Sequence, residues 1–100
     1  MSVRILQINY ALTGPRAAYE VENLPYAQPI ADLPGLLWKI WIIDEARGEA
    51  GGIYLFDSSK AMQAFLDGPI IAEMKADPTL SLKPFDVIGH LTAISRGPVK

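Results

Sequence analysis

Three places in this 100-residue chain hold side chains that could do chemistry. The run Trp38-Lys39-Ile40-Trp41 sets two indoles and an amine within four positions. Alternation along a strand sends Trp38 to one face and Lys39 with Trp41 to the other. One indole could then stack on a flat aromatic substrate, and Lys39 could stabilise an enolate or peroxide anion if it reaches a cleft. The plainer alternative is that both indoles fill core and interface while Lys39 runs to water along their rings. His90 is the sole histidine, and its ordinary pKa of about 6.5 suits a general base at neutral pH. It becomes the candidate base if it points into the cleft; a single histidine on an apolar strand is otherwise a hydrogen-bonded structural residue. Asn9, Gln7 and Tyr54, on strands, could hydrogen-bond a carbonyl, phenol or peroxide oxygen, or serve structure alone. Gly51-Gly52 lacks the Gly-x-Gly-x-x-Gly spacing of a phosphate loop and starts a strand, so it permits a bulge or a close backbone approach.

Composition narrows the menu. With no cysteine there are no disulfides, thiolate nucleophiles, iron–sulfur clusters or common zinc sites, and one histidine cannot build a multi-histidine metal centre. Nine basic residues against eleven acidic ones give a net charge of −2, which argues against a nucleic-acid phosphate footprint. Half the residues are hydrophobic and 20% charged, more apolar surface than one small interior hides. The surplus reads as ligand or partner surface. The opening residues lack a leader pattern, and the apolar runs fall short of the ~20 residues that span a bilayer; a cytoplasmic protein without membrane contact is the expectation. One domain over residues 1–100 fits this length.

The elements that must position these groups follow from periodicity. Residues 3–12 read as a strand with Gln7 and Asn9 on one face. From Arg16 to Leu33, Ala17, Val21, Leu24, Ala27 and Ala31 recur at helical spacing, and Pro25 and Pro29 predict a kink or two short pieces. Leu36–Ile43 is a strand apolar enough to be covered on both faces. A polar turn over residues 44–49 joins it to Ala50–Phe56 as a hairpin. Asp57 or Ser58 caps a helix carrying Ala61, Met62, Phe65 and Leu66, which ends at Gly68 before a further turn or two from Pro69 through Met74. Leu80–Ile94, with Pro84, reads as an edge or bulged strand. The order βαββαβ is the split βαβ of a ferredoxin-like α+β fold: a four-stranded antiparallel sheet with its first and third strands central and helices on one face. The other face stays apolar, and the Trp-bearing strand is left at an edge. Homodimerisation through the sheets would cover both.

Pro34-Gly35-Leu36-Leu37-Trp38-Lys39-Ile40-Trp41, followed by Gly48-Glu49-Ala50-Gly51-Gly52-Ile53-Tyr54-Leu55-Phe56, resembles the signature of the YdhR-like family, a group that carries its monooxygenase label largely by analogy. The resemblance implies a dimeric α/β barrel, in which two ferredoxin-like sheets pack together and each subunit keeps a cleft between sheet and helices. Barrel relatives include cofactor-independent monooxygenases and haem-degrading oxygenases. The prolines of the first helix and the tail after His90 depart from the family's pattern. The resulting expectation is a monooxygenase using no flavin or metal on a small aromatic or quinol-like substrate. In it Trp38 or Trp41 positions the ring, His90 takes a proton, and Asn9, Tyr54 or Lys39 stabilises the oxyanion. A non-catalytic small-ligand binder or stress-response protein that keeps the cleft is the alternative.

Overall fold

The computed structural model describes residues 2–99, so Met1 and Lys100, the ends of the expected 1–100 span, lie outside the described residues. The chain runs β1 (Arg4–Ala11), α1 (Arg16–Ala31), β2 (Leu36–Asp44), β3 (Glu49–Phe56), α2 (Ser59–Leu66), α3 (Pro69–Met74), β4 (Ser81–Asp86) and α4 (Gly89–Ile94). The sheet order is β2-β3-β1-β4, and every neighbouring pair is antiparallel. This is the expected ferredoxin-like α+β arrangement, with β1 and β3 central. Among the described residues no helix is long and apolar enough to cross a membrane.

Alternation on the central strands builds the core. Leu6 and Ile8 of β1 pair with Tyr54 and Gly52 of β3, and with Phe56 they turn toward the helices. There they meet Met62 and Phe65 of α2, Ile71 of α3 and Ile30 of α1, all buried. Each such side chain removed from water contributes about 1.5–3 kcal/mol before entropy is charged against it. Ser58, not Asp57, caps α2 by accepting from the Ala61 amide at 3.1 Å. Glu45 in the β2–β3 turn accepts from the Arg16 amide at 2.9 Å, which fixes the start of α1 over the hairpin.

Three expectations are corrected. First, α1 is one continuous helix across Pro25 and Pro29. The two prolines are four residues apart and both exposed, so water can hydrate the carbonyls they leave without a donor. Second, β2 is not covered on both faces within one chain: Leu37 and Ile40 stay exposed. Third, the last strand stops at Asp86, and residues 89–94 are helical. Asp86 pairs with Arg4, the first residue of β1, so no strand remains beside which β4 could continue.

The central pair is held at close quarters. A Cβ on Gly51 would lie 1.8 Å from the Ile8 carbonyl oxygen, a backbone atom that cannot swing aside. Gly51→Ala should therefore cost about 3 kcal/mol or more, measured as a fall in the urea midpoint. Gly14→Ala, where a Cβ meets nothing within 4 Å, should stay close to wild type.

Candidate functional site

A cavity of about 630 Å³ opens between α1 and the helix-facing side of the sheet. Strand register decides which side chains form its floor. Lys39 stands opposite Tyr54, and Trp41 opposite Gly52. Because Gly52 has no side chain, the Lys39 stem lies across it: a Cβ there would come 2.5 Å from Lys39 Cε. Lys39 Nζ thereby sits 3.2 Å from the Trp41 ring centroid and 4.6 Å from that of Tyr54. Among the described residues no carboxylate pairs with it.

Burial disfavours the charged amine and pulls the Lys39 pKa down to about 7. The two ring faces, each worth about 0.5–2 kcal/mol to a cation, hold back part of that fall. Burial also pushes the phenols of Tyr10 and Tyr54 up, Tyr10 further because its hydroxyl is hydrogen-bonded to that of Tyr19. Asn23, one helical turn on, donates its side-chain amide to the main-chain carbonyl of Tyr19 at 2.9 Å. Asp77 lies at the rim, its carboxyl held low by hydrogen bonds from the Thr79 hydroxyl and amide. The result is a slot with aromatic walls, one amine at its floor, a pair of phenols beside it, and the carboxylates of Glu22, Glu73 and Asp77 elsewhere in its lining. It can take a flat ring and stabilise an anion on it.

Of the residues singled out from sequence, Lys39, Trp41 and Tyr54 come together here, and four, Trp38, Asn9, Gln7 and His90, do not. Trp38 lies on the opposite sheet face, where its Nε1 donates to the Pro98 carbonyl at 2.7 Å. Asn9 also faces away from the cleft and accepts from Gln7 Nε2 at 2.9 Å. His90 is exposed on α4 and outside the cleft lining, because the strand expected to carry it ends four residues earlier. Pointing into the cleft was the condition for its role as base, and within this chain that condition fails.

Sequence reasoning missed Tyr10, Tyr19, Asn23 and Tyr26. Tyr10 was legible, since it continues the Leu6-Ile8 alternation. The α1 residues were obscured by the stripe Ala17-Val21-Leu24-Ala27-Ala31, which faces solvent except at half-buried Ala27, with Val21 and Leu24 each 74% exposed. The residues turned to the sheet are Tyr19, Asn23, Tyr26 and Ile30, at the equally helical spacing of four, three and four.

The family model described as "Putative mono-oxygenase ydhR" matches residues 5–98. No curated protein shows significant similarity to the chain. Among solved structures, a mutant of SnoaB, a cofactor-independent oxygenase from Streptomyces nogalater, superposes with a TM-score of 0.69 at 15% identity, over 88% of this chain and 95% of that one. A protein of unknown function from Nitrosomonas europaea gives 0.67 at 18% identity, over 88% and 91%. The haem-degrader MhuD from Mycobacterium tuberculosis, with two haems bound in its active site, gives 0.53 at 26% identity, over 84% and 95%.

The buried amine makes stability depend on pH with a definite sign. Unfolded, Lys39 keeps its proton up to its ordinary value of 10.5; folded, it gives it up near 7. Between these values the unfolded chain binds more protons, so stability rises with pH. Above about 10 the order reverses, because Tyr10 and Tyr54 hold protons when folded that the unfolded chain has lost. Urea midpoints should climb from about pH 7 to 10 and then turn down, and Lys39→Met should abolish the climb but not the fall. Gly52→Ala should push Lys39 toward water and return its titration to the ordinary lysine range, read by NMR of reductively methylated protein.

Proposed function

The chain belongs to the ydhR mono-oxygenase family, and from that membership we propose that it is a cofactor-independent monooxygenase of a flat aromatic or quinol-like small molecule, acting as a cytoplasmic homodimer. The observation that carries this reading is the Lys39 amine held against the faces of Trp41 and Tyr54 inside the cavity. Trp41 offers a stacking platform for the ring. With its pKa lowered, Lys39 is partly neutral near pH 7 and takes over the role of base from His90, accepting a proton from an acidic ring C–H. The ammonium so formed lies beside the new carbanion and stabilises it. The carbanion passes an electron to O₂, recombination gives a peroxide, and loss of water leaves a carbonyl. A ring CH₂ and O₂ become C=O and H₂O, so no outside reductant is consumed.

A haem of the kind MhuD holds does not fit these residues. The one histidine is outside the cleft, and burial keeps the Tyr10 and Tyr54 phenols protonated, against use as phenolate ligands. The homodimer reading is supported by the apolar groups left exposed away from the cleft: Ile40 and Phe85 on the helix-free sheet face, and Ile88, Leu91 and Ile94 around α4.

Anthrone-like substrates should support oxygen uptake without added NADH, flavin or metal. Lys39→Met should lower the rate about 10²–10⁴-fold; Trp41→Ala should weaken binding as well. His90→Ala should leave the rate unchanged. Sedimentation should report two chains of 10.9 kDa. Tight ligand binding with no oxygen uptake across an aromatic panel would instead make the protein a non-catalytic binder.

A further inference from the structure

Two cavities are lined in succession by the same two stretches of chain. On one side Tyr26 and Ile30 of α1 line the cleft, and Leu33, just past the end of that helix, lines a second cavity of about 400 Å³. On the other side Met74 of α3 lines the cleft, and Phe65 and Pro69 line the second cavity. Among the described residues Ile70 is the only one that lines both. The cleft and the second cavity are therefore neighbours, and the Ile70 side chain stands where they meet.

Little freedom is left to that residue. Ile70 follows Pro69 at the start of α3 and precedes Ile71, which is fully buried, so the backbone that carries it is anchored. A β-branched residue in a helix has one strongly preferred χ1. The chemistry also changes across it. The cleft offers an amine, phenols and the carboxylates of Glu22, Glu73 and Asp77, whereas the second cavity is lined mainly by apolar residues, Leu33, Phe65 and Pro69 among them, with Asp57, Ser58 and Lys60 as its polar members.

We infer that Ile70 is the length-determining residue of the ligand cleft: it stops an apolar substituent on a ring seated against Trp41 from running on into the second cavity. The inference rests on the reading of the cleft as a site for a flat aromatic. It narrows the substrate class to ring systems whose α3-facing edge carries hydrogen or a short group.

The test compares 2-hydroxy-1,4-naphthoquinone, a stable planar anion, with its 3-hexyl derivative, by calorimetric affinity rather than turnover. Wild-type protein should bind the hexyl compound about tenfold or more weakly than the parent. Ile70→Ala should tighten the hexyl compound by about tenfold or more while changing the parent less than about threefold. Ile70→Val, one methylene smaller, should give a gain of the same sign and keeps the test decisive if the alanine variant does not fold. Equal wild-type affinity for both compounds, or a ratio unmoved by the variants, overturns the partition and leaves the aromatic cleft standing, since the parent still binds. Failure of wild-type protein to bind the parent removes the cleft reading, and the partition falls with it.

Discussion

The close approach of β3 to its two neighbours at Gly51-Gly52 is the constraint on which the rest of the molecule depends. Gly51 lets the β1 backbone lie where any side chain would collide with the Ile8 carbonyl. Gly52, on the opposite face, leaves the strip of sheet on which the Lys39 stem rests. Glycine in a strand interior costs conformational entropy and contributes no packing. Here that cost is offset twice, once by the central ladder and once by the place it makes for an amine.

Placing an amine there is itself unfavourable. A lysine drawn from water without a carboxylate partner pays a desolvation penalty that the ring faces of Trp41 and Tyr54 only partly repay. The fold tolerates this because the surrounding core is dense with aromatic contacts: Tyr54 stacks on Phe56 at 6.1 Å between centroids, and both rings contact Phe65. Stability is thus concentrated beneath the cleft, under its floor. The roof is looser, since α1 buries only Ile30. A stiff floor with a lightly packed roof suits a site that must admit a ligand and still hold one group in a fixed place.

The two faces of the sheet divide the tasks. The helix-facing side carries the core and the cleft. The other side carries Trp38, Asn9 and a set of exposed apolar residues, chemistry suited to contact with another surface more than to a small molecule. One residue of slip along β2 would exchange Trp38 for Lys39 and erase the site. The irregularity in register between Leu36 and Trp38 lies immediately before this run and settles its phase.

Much of this was written in the residue pattern. The central place of β1 and β3 follows from the order of elements and the handedness of their crossovers. Period-two alternation with turn residues on either side specifies the hairpin and the separation of Trp38 from Lys39 and Trp41, because side-chain direction in a strand is a local property. The Gly51-Gly52 pair signals a close approach for the same reason. Helix phase is decided differently: Ala17-Val21-Leu24 and Tyr19-Asn23-Tyr26 are equally periodic, and only the position of α1 over the sheet selects the second set for the cleft. The fate of His90 is likewise tertiary. Nothing between Leu80 and Ile94 marks where pairing must stop; that point is set by Arg4, the first residue of a strand more than eighty positions away in the chain. The depressed pKa of Lys39 is tertiary too, since a sequence names the amine but not the burial that unsettles its charge.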